Sequence, residues 1–152
     1  MKILILLLTI ISFSFSEQHV FLVNTYDKEI EFEAKIISKI ATSSLKEKVI
    51  LYIPEISVQE KEIYSQFFTL TDDCKVANFI FDNKGLVSND CKKLDILFFT
   101  NNYRRLVAND KYYGAFFWSK SRPNIVFIRE RLENNHVQLS KEYSKYIEDI
   151  ND

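Results

Sequence analysis

Five short apolar runs punctuate this chain: KVILYIP (48–54), KVANFIFD (75–82), LDILFFT (94–100), YYGAFFW (112–118) and NIVFIRE (124–130). Continuous apolar runs of this length, bounded by polar or turn residues, read as strands covered on both faces. The last two are joined by SKSRP, a polar link of hairpin length, which makes them an antiparallel pair. Pro123 is tolerated at a strand start because it need not donate a hydrogen bond there.

Helical patterns separate the other runs. In 26–44, Ile30, Ala34, Ile37 and Ala41 recur at helical spacing, Ile36 and Ile40 widen the stripe, and Asp27 is placed to cap the start. Glu29, Glu31, Glu33, Lys35 and Lys39 fall mostly on the other face, so one side is buried and the other wet. Ser57 with Glu60 three residues on has the spacing of a capping box, and Ile63, Phe67 and Leu70 give that helix its inward stripe. Asn83-Lys84-Gly85 is a turn in which Gly85 supplies the positive φ. Asn101 or Asn102 caps a helix over 101–110. RERLEN winds into a turn or short helix, and Ser140 caps a terminal helix carrying Tyr143, Ile147 and Ile150. Helices alternating with buried strands predict an α/β fold. The expectation is a single three-layer sandwich, its sheet mostly parallel with an antiparallel C-terminal hairpin, and helices on both faces.

MKILILLLTIISFSFS opens the chain with Lys2 and an apolar stretch, and Ser14 and Ser16 sit at the small-residue positions before Glu17. This reads as a signal peptide over 1–16, followed by an extension over 17–26 and one domain over 27–150. Removing Lys2 takes the net charge from −1 to −2, so there is no basic excess to draw nucleic acid or anionic lipid. No later stretch is long and apolar enough to span a bilayer. Export to an oxidising compartment, the periplasm, is the expectation.

Cys74 and Cys91 are the only two cysteines. An isolated pair in an oxidising compartment is more often bonded than free, and a reactive thiol pair or half a metal site are the alternatives. A metal would want further ligands, and the histidines, His19 and His136, lie at opposite ends of the mature chain. No Gly-x-Ser-x-Gly elbow, HExxH or GxxxxGK[ST] motif is present, so no catalytic, cofactor-binding or metal-ligating set is assigned.

Contacts with a partner or ligand are sought instead among seven residues. Arg104 and Arg105, after the third run, fall at the edge of the sheet where open α/β folds bind ligands; the plainer reading is two solvated arginines. Lys120 and Arg122 sit at the hairpin tip. Strand alternation places Tyr113 and Phe117 on one face and Tyr112, Phe116 and Trp118 on the other. Either a helix covers that second face or an aromatic patch is left for a partner.

Gly114 lies in the hairpin strand, Phe127 in the returning strand, Arg131-Leu132 in the turn that follows, then Val137-Gln138-Leu139-Ser140 and a final segment over Tyr143–Ile147. In this order of features most of the mature chain resembles the YfiR-like periplasmic regulator family. EFEAKIISKIA (31–41) is similar to the family's opening helix, and Cys91 before LDILFFT to its cysteine preceding a buried strand. The chain departs from the pattern at His136, where the family has Gly, and in having one hairpin glycine. The resemblance implies a non-enzymatic periplasmic protein. Such a protein docks to and modulates an inner-membrane signalling protein, a diguanylate cyclase or histidine kinase, with a homodimer as the other assembly to test. The alternative is a periplasmic small-ligand-binding module of an uptake or sensing system, using the sheet edge near Asn101–Arg105.

Overall fold

The computed structural model describes residues 25–150; the signal peptide and most of the extension read from the sequence lie outside them. Helix α1 runs to residue 44. Then come β1 (Ile50–Tyr52), α2 (Val58–Tyr64), β2 (Thr69–Leu70), β3 (Phe79–Asp82), α3 (Asn89–Lys92), β4 (Leu97–Thr100) and α4 (Tyr103–Ala108). The chain closes with β5 (Tyr112–Ser119), β6 (Arg122–Ile128), α5 (Arg129–Asn134), a 3-10 helix (Lys141–Tyr146) and β7 (Ile147–Glu148).

The strands form one sheet in the order β2-β1-β3-β4-β5-β6-β7. Every neighbouring pair is parallel except β5 with β6. The expected α/β sandwich, mostly parallel with an antiparallel hairpin, is the observed fold. Both faces are covered. Ile30, Ala34, Ile37, Ile40 and Ala41 of α1 and Ile63 and Tyr64 of α2 pack with Phe79, Phe81, Phe99 and Phe127 on one side. On the other, Cys91 of α3 and Leu106 of α4 pack with Ile80, Phe98, Tyr112 and Ala115. All four residues of β3 and of β4 are buried, as a doubly covered strand requires.

Local chemistry sets the helix ends. The Ser57 side chain accepts from the Glu60 amide while the Glu60 carboxylate accepts from the Ser57 amide, a complete capping box. The Asn102 side chain caps α4 by accepting from the Arg105 amide. Helix α5 ends in a Schellman motif: the Val137 amide donates to Leu132 O at 2.8 Å and the His136 amide to Glu133 O at 3.0 Å. His136 there has φ 54°, the left-handed conformation for which glycine is the usual residue. Arg131 holds α5 against α4; its Nη1 donates to the carbonyls of Leu106, Asn109 and Tyr112 at 2.6–2.9 Å. Burial lowers the Arg131 pKa, and Asp110 and Glu130 oppose that shift.

Five expectations are corrected. Helix α2 ends at Tyr64, so Phe67 lies beyond it and Leu70 belongs to β2, where pairing with β1 replaces the helical period. Asp27 lies within α1 instead of capping it, and its carboxylate accepts from Gln59 Nε2. The link SKSRP shortens to a two-residue turn, because Ser119 pairs with Arg122. The terminal helix is a 3-10 helix followed by β7, and Ser140 makes no side-chain cap. Tyr143 packs edge-on against Phe127 and Ile147 pairs beside that same residue, so the edge of β6 captures a segment whose helical period is weak. Finally, β5 does not alternate regularly. Phe98 pairs with Tyr112 but Phe99 pairs with Gly114, leaving Tyr113 as the extra residue of a β-bulge. Beyond the bulge the faces exchange: Tyr113 and Phe116 point to the α1 side, and Tyr112 and Phe117 to the α4 side.

Cys74, in the loop before β3, is bonded to Cys91 of α3, with Cα atoms 5.9 Å apart. The bridge ties the segment entering β3 to the helix that follows it.

Candidate docking surface

Two places in this fold were candidates: the carboxyl edge of the parallel strands and the hairpin. The sheet order reverses at β1, so the crevice at the carboxyl ends of β1 and β3 is where ligands of open α/β sheets usually lie. Here that edge is filled by the protein's own groups. Asp82 ends β3 fully buried. Its Oδ1 accepts from the Gly85 and Leu86 amides at 2.7 and 3.0 Å, and its Oδ2 from the Tyr112 hydroxyl at 2.5 Å. Arg105 Nη1 donates to Asp82 O at 2.7 Å and to Thr100 Oγ1 at 3.0 Å. The guanidinium lies across Gly85, 2.8 Å from where a Cβ would stand, and Gly85 has φ 77°. Lys84 Nζ donates to Glu55 O at 2.6 Å and reaches Glu60 Oε2 at 3.3 Å. Burial opposes charge on Glu60, but the bonds from Ser57 and the Lys84 ammonium hold its carboxyl below the ordinary range. Asn83 Oδ1 is buried without a hydrogen-bond partner among the described residues. Arg105 is therefore a clasp across the strand ends.

The hairpin differs. β4 pairs with β5 only as far as Ala115, and β7 pairs with β6 only from Phe127. Among the described residues, 116–119 and 122–125 have no strand partner but each other, so the arm extends past the sheet. Aromatic rings brace it on both faces. Trp118 is 49% exposed and packs on Phe32 of α1, itself 42% exposed, with ring centroids 5.8 Å apart. On the opposite face Tyr103 of α4, also 42% exposed, packs on Phe117 at 5.5 Å.

At the tip Lys120 and Ser121 have φ 50° and 59°. Two successive left-handed residues make a type I′ turn, where Asn-Gly is the cheap solution. Side-chain-bearing residues there cost on the order of 1 kcal/mol each. The chain thus keeps a lysine at the tip against backbone preference.

Of the seven contact candidates, Arg104, Trp118, Lys120 and Arg122 are exposed. Trp118, Lys120 and Arg122 belong to one arm, and Arg104 follows Tyr103 on the helix that braces it. Tyr112 and Phe116 are buried, at 2% and 0% exposure, so they support the arm and do not present it. Tyr112 packs in the α4-side core, and the bulge at Tyr113 turns Phe116 into the α1-side core. Sequence reasoning missed Phe32 and Tyr103. Phe32 is an apolar residue off the buried stripe of α1, and that misplacement was the available signal.

No protein-family model, curated protein or solved structure matches the chain.

Proposed function

We propose that this chain is a non-enzymatic, extracytoplasmic regulator of the YfiR-like kind. On this reading it docks through its β5–β6 hairpin to the outer segment of an inner-membrane signalling protein of the diguanylate cyclase or histidine kinase type. The observation that carries the reading is the arm itself: half-exposed rings on both faces and cations at the tip, held beyond the sheet by a backbone that favours other residues there. Two further features support it. The left-handed His136 occupies the place where the resembling family has glycine, which fits a shared turn with a changed side chain. A buried disulfide is compatible with an oxidising compartment, and among the described residues no helix is long and apolar enough to cross a membrane. The small-ligand alternative has less support, because Arg105, Asp82 and Lys84 bond to one another's surroundings across the edge it would use.

The test is a photo-crosslinking amino acid in place of Trp118, expressed in the native envelope, with a second at exposed Val58 on α2 as control. The expected result is one inner-membrane adduct specific to position 118, bearing a cyclase or kinase domain. Adducts equal at both positions would overturn the reading, and a transporter subunit at 118 would replace it with ligand delivery.

A further inference from the structure

We infer that the hairpin and the start of α4 recognise an acidic protein segment carrying apolar side chains. The inference rests on docking through this arm, as proposed above, and adds the chemistry of what is docked.

Charge is segregated along the chain. Residues 101–128 hold five Lys/Arg and one Asp, a net +4 in a chain whose total is −1. Two of those cations are engaged internally. Arg105 clasps Asp82 O and Thr100, and Lys111 donates to Leu94 O at 2.8 Å with its ammonium over the Phe98 ring. Arg104, Lys120 and Arg122 are exposed, and none of them is in an ion pair among the described residues. The hairpin strands and their turn carry no carboxylate at all. Beside these cations Trp118, Phe32 and Tyr103 present half-exposed ring faces.

The complement of such a surface is a run of carboxylates interleaved with apolar side chains. The carboxylates meet the three cations and steer the encounter, and the apolar groups cover the rings. A lipid surface fits less well. Lipid-reading clusters hold roughly four to eight Lys/Arg, and the arm with the start of α4 exposes three, Arg104, Lys120 and Arg122. Trp118 is also packed against Phe32 and Phe116 instead of standing clear for insertion. A second copy meeting arm to arm would set like charges together.

Trp118 is the chain's one tryptophan, so its emission reports the site directly. The mature chain is titrated with two synthetic peptides of equal length, one alternating Glu with Leu and one alternating Gln with Leu. Phosphatidylglycerol vesicles form a third arm. The Glu–Leu peptide should give a saturable blue shift, at least about tenfold tighter than the Gln–Leu peptide and weakened by salt. K120E/R122E should bind it about tenfold more weakly with an unchanged melting temperature, since both side chains are exposed. No shift with the Glu–Leu peptide, an equal shift with both peptides, or a shift with vesicles alone would overturn the inference. So would emission that changes with protein concentration alone, which marks self-association. A specific adduct at position 118 without a Glu–Leu response would keep the docking reading and remove the acidic partner. The converse result would keep the acidic site and remove the signalling protein.

Discussion

The Tyr112 hydroxyl donates to the buried carboxylate of Asp82 at 2.5 Å, joining the end of β3 to the start of β5 across β4. Among the described residues the Asp82 carboxylate otherwise accepts only from the Gly85 and Leu86 amides, both at Oδ1, so its Oδ2 depends on Tyr112. Tyr112→Phe keeps the ring and leaves a buried acceptor without its donor, which costs about 1–3 kcal/mol. Urea unfolding should show a lower midpoint with an unchanged slope. An unaltered midpoint would mean that the carboxylate finds another donor.

Four tyrosines predict an alkaline limit to stability. Burial raises the pKa of Tyr64, Tyr112, Tyr113 and Tyr143 above the ordinary 10.0. For Tyr112 the Asp82 carboxylate adds to the effect, and for Tyr113 the Ser44 hydroxyl, 2.7 Å away, opposes it. A raised pKa means that the folded state binds more protons than the unfolded state once the pH passes about 10. Stability is therefore full below that pH and is lost as the pH rises toward the folded values. Urea midpoints measured from pH 8 to 11.5 should fall steeply above pH 10, and Tyr113→Phe should flatten that fall. A fall of equal steepness in the variant would contradict the assignment.

How much of this was legible in the sequence depends on how far each determinant reaches. The cap at Ser57 and Glu60, the cap at Asn102 and the turn at Gly85 are settled within four residues, and each was readable. So were β3 and β4, because burial on both faces leaves an unbroken apolar run. The bulge at Tyr113 was not, because it answers to Phe99 and Phe127 packing onto Gly114 from two other strands. The end of the chain misled for a similar reason: pairing with β6 outweighs a helical period carried by Tyr143, Ile147 and Ile150. At the candidate site, the cations and Trp118 were visible as residue types. Their companions Phe32 and Tyr103 come from α1 and α4, and only the fold brings them to the arm.

Removal of the Cys74–Cys91 bridge should destabilise the chain through its unfolded state. The bond closes a loop with a sequence separation of 17, which corresponds to about 3 kcal/mol in the chain-entropy model. The double variant C74S/C91S should unfold at lower urea and become insensitive to dithiothreitol. The natural chain should lose a comparable amount in dithiothreitol. Equal midpoints with and without reductant would refute the prediction.

Gly114→Ala tests the packing that shapes the hairpin. A Cβ at this position would stand 2.7 Å from the rings of both Phe99 and Phe127 and 2.9 Å from the Val126 carbonyl oxygen. Both rings are fully buried, so neither can swing aside without disturbing the core. Overpacking of this kind costs about 1–3 kcal/mol, and here it strains the bulge as well. The variant should lose that stability in urea, and the emission of Trp118, four residues on, should shift red as the arm loosens. A variant as stable as the natural chain would show that β5 can slip its register at no cost.

His136→Gly should act in the opposite direction. His136 closes the Schellman motif of α5 at φ 54°, where an L side chain is disfavoured and glycine is not. Glycine relieves that strain but loses more freedom on folding, so the net gain is modest, about 0.5 kcal/mol. No hydrogen bond or ion pair of the described structure involves the imidazole, and the residue is exposed, so little else changes. The urea midpoint should rise slightly with its slope unchanged. His136→Val should lower it by more than glycine raises it, because a β-branched residue is a poorer fit to the left-handed region. If both variants shift stability in the same direction, the backbone conformation at 136 is not what sets the cost.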